Sequence, residues 1–165
     1  MAEGTFPKAD GDILYGSEAN FFHSKVEQID VTTDLDVNIG AGATDTANKE
    51  YALTVDNNAD YLDLLIMGYF DLEPQLENNH AYIETKIEIK ETGGFYGTVF
   101  DETIAYIRVS NANEYLKGIK DINWLHTLTA GQKTNGVTVK ITLTATGIAN
   151  EPCTWTNKQI NFRWQ

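Results

Sequence analysis

Hydrophobic and polar residues alternate along most of the chain from residue 26 onward. The clearest case is 137–146, in which every odd position is apolar and every even position is threonine or lysine. Successive side chains of an extended strand point to opposite faces, so this pattern predicts a strand with one buried face. Asn135-Gly136, directly before it, is typical of a tight turn because both residues tolerate positive φ.

The same period predicts strands in most of the remaining chain. Clear alternation is found in four further segments: 51–55, 81–90, 123–129 and 159–165. Segments 26–32 and 98–110 show it less regularly. Segment 61–72 is apolar on both faces and fits a central strand or two strands bent at Gly68. Residues 113–119 fit a short helix or a loop.

These elements predict the fold class. One helix is expected, over residues 17–23, with Ser17 as its N-cap. Eight to ten strands then follow one another without a long helical pattern between them, which excludes parallel βαβ units. The fold predicted is all-β: an antiparallel β-sandwich with jelly-roll topology, spanning residues 26–165. Residues 1–25 are turn-rich at first and then apolar, and they form a short N-terminal arm in this interpretation.

Charge narrows the range of partners. The 165 residues include 12 Lys and Arg against 24 Asp and Glu, for a net charge of -12. Such a surface repels phosphate groups, so we expect no nucleic-acid partner and no docking on anionic lipid. The chain opens without an apolar signal segment, and its longest apolar run, 64–70, is too short to cross a bilayer. The expectation is a soluble protein without membrane insertion.

Catalytic chemistry is not indicated by the pattern of reactive residues. The histidines, His23, His80 and His126, are far apart, and none has a ligand-like neighbour at i+2 or i+4. Cys153 is the single cysteine and fits a buried, inert thiol. The motifs of phosphate-binding loops, nucleophile elbows and zinc sites are missing from the sequence. We therefore expect a protein that is not an enzyme and that carries no cofactor.

Two acidic stretches, 30–36 and 56–60, offer oxygen atoms of the kind that calcium binds. Neither matches the EF-hand loop, and turns rich in Asp and Asn are common between strands without a metal. A site without metal is the favoured interpretation. Three aromatic residues are candidate stacking positions for a sugar, with a role in capping the core as the favoured alternative: Tyr96, Tyr115 and Trp155.

The segment 6–20 carries the most specific pattern, a Gly-Asp-x-Leu run followed by a small residue, an acidic residue and an Asn before an apolar pair. The positions that match are Gly11, Asp12, Leu14, Ser17, Glu18 and Asn20. This segment resembles the opening of decoration, head-fibre and tail-fibre proteins of tailed bacterial and archaeal viruses. The threonine-rich strand at 137–146 and the alternating C-terminal segment are also similar to virion β-sandwich modules.

The resemblance implies a function and a location. The arm would attach to the particle, and its candidate docking residues are Gly11, Asp12, Leu14, Asn20, Phe21 and Phe22. For the two phenylalanines, the alternative is that they cap the β core of their own chain. The sandwich would face outward on a virion assembled in the host cytoplasm, with other virion proteins and a host-surface glycan as partners. Because the sequence has no collagen-like or coiled-coil shaft, a compact surface protein is favoured over a long fibre.

The leading prediction is thus a non-enzymatic virion structural protein. Exposed sandwich edges also predict a homo-oligomer, with a trimer preferred. The alternative is a carbohydrate-binding or adhesive sandwich module. A sandwich-fold glycosidase or lyase is a third class, and it would require two carboxylates converging in a groove.

Overall fold

The structure is a computed structural model that describes residues 25–111 and 114–164. In this part of the chain, the strands are β1 (Lys25–Asp30), β2 (Val37–Asn38), β3 (Thr44–Leu53), β4 (Tyr61–Leu72), β5 (His80–Glu91), β6 (Gly97–Arg108), β7 (Leu116–Thr127), β8 (Val137–Thr146) and β9 (Cys153–Trp164). A single described helix, α1 (Ala130–Asn135), lies between β7 and β8. None of the described helical structure is long and apolar enough to cross a bilayer.

The strands form two antiparallel sheets. Sheet one has the order β1-β9-β4-β7, with β2 also pairing with β9, and sheet two has the order β3-β8-β5-β6. From β2 to β9, successive strands change sheet except at the β5–β6 hairpin. This order is that of a jelly roll, and it confirms the predicted antiparallel sandwich.

The core lies between the two sheets and is built by the alternation seen in the sequence. On β8, Val137, Ile141 and the other odd-numbered residues are buried, whereas the threonines are half exposed. Segment 61–72 is a single central strand, β4, whose inner residues include Leu64 and Ile66. Burial of apolar side chains on the inner faces of both sheets supplies the main stabilisation of the domain.

Two elements differ from the sequence predictions. Residues 116–119 were expected in a short helix or a loop but form the start of β7, which pairs with the long central strand β4. Asn135-Gly136 was expected as a tight turn, but it ends α1, with Gly136 at a φ of 81°. The predicted helix at 17–23 and the arm lie outside the described residues, so both stay predictions.

The start of helix α1 is stabilised by a capping box between Thr129 and Gln132. Thr129 accepts a hydrogen bond from the Gln132 backbone N–H at 3.2 Å, and the Gln132 side chain accepts one from the Thr129 N–H at 3.0 Å. This reciprocal pair is a capping box, whose signature is Thr or Ser followed three residues later by Gln or Glu. A turn at Gly93, which has a φ of 83°, joins β5 to β6.

Candidate functional site

The free edge of sheet one is the first candidate surface. β7 pairs with β4 over twelve residues in an unbroken register, from Tyr61 opposite Thr127 to Leu72 opposite Leu116. No strand within residues 25–111 and 114–164 pairs with the other side of β7. On the outer face of β7, Ile119 is 71% exposed and Leu125 is 57% exposed. A long edge of this kind presents unpaired backbone groups together with apolar side chains.

The edge of sheet two, β6, is built differently. Its pairing with β5 shifts register twice, at Ile83/Glu84 and at Ile87/Glu88, so β6 carries two bulges. Asp101 is exposed on this strand. Bulges and charges obstruct the addition of another strand. Both edges carry exposed charges, so the two bulges are what distinguishes β6 from the unbulged β7.

A cleft of about 210 Å³ separates the two edges. Phe100 and Glu102 of β6 line one wall, and Lys120 and Ile122 of β7 line the other. Asp121 also lines it, so two carboxylates border the cleft, and both are exposed. The volume is below the roughly 300–1,000 Å³ of typical small-molecule sites.

The outer face of sheet two holds a second candidate surface. Tyr106 of β6 lies directly opposite Tyr82 of β5 in the register and is 54% exposed. His80 stacks on Tyr82, with ring centroids 6.0 Å apart and an interplanar angle of 7°. Glu84 and Thr144, which are opposite each other on β5 and β8, continue the same face. Aromatic rings beside hydroxyl and carboxylate groups are suited to a sugar.

The three predicted stacking residues do not form one surface. Trp155 lies in the core and is 0% exposed, so the prediction of a sugar-stacking role for this residue is wrong. It occupies an inner position near the start of β9, where the ring fills space between the sheets. The error arose because an isolated tryptophan beside a loop gives no sequence signal of the face on which it lies.

The other two predicted stacking residues keep some exposure. Tyr115 is exposed directly before β7, and the Lys117 ammonium lies 5.5 Å from its ring centroid. Tyr96 is half buried after the β5–β6 turn, with Lys90 4.2 Å from its ring centroid. Burial raises the pKa of Tyr96 to about 12, and nearby carboxylates add to the effect. Phe95, next to it, is 99% exposed and was missed, because a turn aromatic has no alternation to place it.

The carboxylates of the first acidic stretch, residues 30–36, make contacts within the domain. Lys49 of β3 forms ion pairs with Asp30 at 2.8 Å and with Asp34 at 3.1 Å. The hydrogen bond from Lys49 lowers the pKa of Asp34. Asp36 accepts a hydrogen bond from the backbone N–H of Asn157 at 2.6 Å. These contacts hold the segment between β1 and β2 against both sheets.

The carboxylates of the second acidic stretch, residues 56–60, also make contacts within the domain. Asp56 accepts a hydrogen bond from the Asn58 N–H at 2.8 Å, which makes an Asx turn. Asp60 forms an ion pair with Lys133 at 2.6 Å. Among the described residues, no three His, Cys, Asp or Glu side chains lie together in a group suited to a metal ion.

The described histidines and the cysteine have structural neighbours. His126 stacks on Trp124 with ring centroids 5.2 Å apart, and its Nε2 lies 2.9 Å from the Gln132 Oε1. Cys153 is buried, and burial raises the pKa of its thiol to about 11. The predicted arm residues Gly11, Asp12, Leu14, Asn20, Phe21 and Phe22 lie outside the described residues, and their role stays a prediction.

No protein-family model matches this chain, and no curated protein matches it. Solved structures with a similar chain course include the VP2 subviral particle of infectious bursal disease virus, with a TM-score of 0.45 and 12% identity. The match covers 99% of this chain but 36% of the VP2 chain, so this chain spans about a third of that protein.

Two carbohydrate-binding modules are also similar in chain course. One is the CBM22-1 xylan-binding domain of Paenibacillus barcinonensis Xyn10C, with a TM-score of 0.34 and 10% identity over 86% of this chain and 95% of that domain. The other is TmCBM61 in complex with β-1,4-galactotriose, with a TM-score of 0.33 and 8% identity over 87% of this chain and 88% of that one. With TM-scores below 0.5, these likenesses carry no functional argument. The resemblance of residues 6–20 to proteins of tailed viruses remains a prediction.

Proposed function

We propose that the protein is a non-enzymatic structural component of a virus particle, attached through residues 1–25 and exposing its β-sandwich. The observation that carries the proposal is the edge of β7, which is twelve residues long, pairs only with β4 in the described part of the chain, and exposes Ile119 and Leu125. Other virion proteins and further copies of the chain are the expected partners, and the virion is the expected location.

The edge of β7 supports a role in assembly because an exposed edge strand is a liability in a protein that acts alone. A long, unbulged edge strand with apolar side chains is prone to unwanted pairing, and proteins that act alone usually block it with bulges, charges or a covering segment. β6 in this chain carries two bulges, whereas β7 has no bulge along its register with β4. No strand among the described residues pairs with the outer side of β7, so this edge is suited to a specific partner.

The particle test compares three forms of the protein. Full-length chain, a chain starting at residue 26 and the double variant Phe21→Ala, Phe22→Ala are each produced in cells that form the particles, and the particles are purified on a density gradient. We expect the full-length chain in the particle fraction and the two altered forms in the soluble fraction. The variant Lys8→Ala is a control in the arm.

The outcomes separate the parts of the proposal. Full-length protein that never sediments with particles contradicts the structural role. Truncated protein that sediments as well as full-length protein contradicts the attachment role of residues 1–25.

A second candidate function is glycan binding, which the outer face of sheet two favours through Tyr82, Tyr106 and His80. It is tested on a glycan array with the wild-type chain and Tyr106→Ala, whose exposed ring is not required for the core. Tyr61→Ala removes an exposed tyrosine from sheet one and serves as the matched control. Binding lost in the first variant and kept in the second supports the glycan site, and an array without any bound sugar counts against it.

A further inference from the structure

Two exposed apolar residues of β7 lie at equal distances on either side of Ile122. Ile119 lies three residues before it and Leu125 three residues after it, and both point away from the core because they share the outer face of the strand. Ile122 itself lies on the inner face, opposite Ile66 of β4. A strand that is self-complementary about one residue is suited to pair with an identical strand.

We propose that two copies of this chain pair through β7, antiparallel and about a twofold axis at Ile122, so that their first sheets become one continuous sheet. The proposal rests on the assembly role proposed above and names the partner of that edge as a second copy. A twofold axis perpendicular to the sheet keeps the outer faces of both copies on the same side, as a continuous antiparallel sheet requires, and it closes the dimer.

The register supplies complementary neighbours at each position. Ile119 lies opposite Leu125 of the partner subunit, and by symmetry this apolar pair forms twice. Asp121 lies opposite Asn123 of the partner subunit, where an amide donates to a carboxylate. Lys120 lies opposite Trp124 of the partner subunit, which places an ammonium beside an indole ring. Cross-strand pairs of these kinds are favourable, and no like charges face each other.

Pairing of two β7 strands about a residue next to Ile122 gives less favourable cross-strand neighbours. An axis at Asp121 sets that carboxylate opposite its own copy, and an axis at Lys120 does the same with the ammonium group. Like charges directly opposite each other are destabilising. An axis at Asn123 sets Asp121 opposite Leu125 of the partner subunit and leaves Ile119 without an apolar neighbour. The axis at Ile122 is therefore favoured over these three alternatives.

The test measures the mass of the purified full-length chain by sedimentation velocity and light scattering. We expect a species of two 18.4 kDa copies. The variant Ile119→Lys, Leu125→Lys places two lysines opposite each other in the proposed register and should give a monomer. Leu76→Lys introduces the same kind of change at an exposed leucine outside the strands and should leave the dimer intact.

A third variant tests the register itself. In Ile119→Lys, Leu125→Asp, opposite charges face each other only if these two positions meet across the axis, so the dimer should return. A wild-type monomer, a mass of three copies, or a dimer unaffected by the lysine pair would overturn the proposal. If a chain starting at residue 25 dimerises while the full-length chain does not, residues 1–24 occupy the edge of β7 in place of a second copy. That result would also overturn the proposal.

These measurements use free protein, so they are independent of particle attachment. A dimer that never sediments with particles would contradict the virion role and leave the β7 contact standing. Protein that sediments with particles but is a monomer when free would contradict the β7 contact and leave the virion role standing.

Discussion

The indole ring of Trp155 on β9 lies directly against the backbone of Gly68 on β4. A Cβ atom added at Gly68 would overlap the six-membered ring of that indole. Both residues are buried on the inner face of sheet one. The missing side chain of Gly68 therefore makes the space for the largest side chain of the core.

Replacing Gly68 with alanine should destabilise the domain. The ring of Trp155 is fully buried and rigid, so the overlap is relieved only by a shift of β9 or β4. Overpacking of this kind typically costs about 1–3 kcal/mol. Urea unfolding followed by tryptophan fluorescence measures the loss.

Gly97→Ala is the matched control for Gly68→Ala, because the nearest atom to its new Cβ is the Ile89 carbonyl oxygen at 4.0 Å. We expect it to change the free energy of unfolding by less than about 1 kcal/mol. Equal effects of the two substitutions would show that the close approach of Trp155 is not the cause.

Acid should weaken the contact between Lys49 and the β1–β2 segment. Lys49 lowers the pKa of Asp34 in the folded chain, so this carboxylate stabilises the fold above its ordinary pKa of 3.8, and the contribution is lost as the pH falls through the lowered value. The stability difference between wild type and Lys49→Gln should thus be present at pH 7 and shrink below pH 3.8.

Thermal unfolding of both proteins between pH 7 and pH 2.5 measures this dependence. Lys158→Gln is the control, because it removes an exposed lysine from the irregular part of β9. Its stability difference from wild type should not shrink as the pH falls. A difference between wild type and Lys49→Gln that stays constant across the range contradicts the role of the ion pairs.

Removing the cap of α1 should cost stability. In Thr129→Ala the backbone N–H of Gln132 loses its acceptor, and such losses at an N-cap typically amount to about 0.5–2 kcal/mol. Chemical denaturation measures the change. Thr134→Ala is the control, because its hydroxyl donates only to the Ala130 carbonyl within the helix, and it should cost less than Thr129→Ala. The reverse order would contradict the capping role.

Cys153 should react only slowly with a thiol reagent in the folded protein. Its thiol is buried, and a pKa raised from 9.0 to about 11 leaves about a hundredfold less thiolate at pH 8. We expect full reaction in denaturant and a much slower reaction without it, followed by absorbance of a disulfide reagent. In Val31→Cys the added thiol is exposed and should react at once. A native Cys153 that reacts equally fast would contradict its burial.

The strands were largely predictable, because the signal that defines them is local. Apolar side chains at every second position of β5 and β8 indicate one buried face, whatever the strand lies next to. The capping box of Thr129 and Gln132 is equally local, because it depends on two residues three positions apart, and it precedes the turn signal at Asn135-Gly136. That helix was within reach of sequence reasoning.

The candidate surfaces were not predictable in the same way. The start of β7 has weak alternation, with Gly118 and Lys120 at inner positions, so it was expected in a helix or a loop. Its strand conformation is imposed by the backbone of β4, which pairs with β7 along all twelve residues in an unbroken register. Tyr82 and Tyr106 are 24 positions apart in the chain, and only the β5–β6 register brings them opposite each other.

By itself, the sequence determined that this chain folds as an antiparallel β-sandwich, because the two-residue period of burial is set by the geometry of each strand. Tertiary structure alone decided which strands become edges, and that Trp155 lies inside while Ile119 and Leu125 lie outside. Those outcomes depend on which strands become neighbours, and that choice is made by the packing of both sheets against one another.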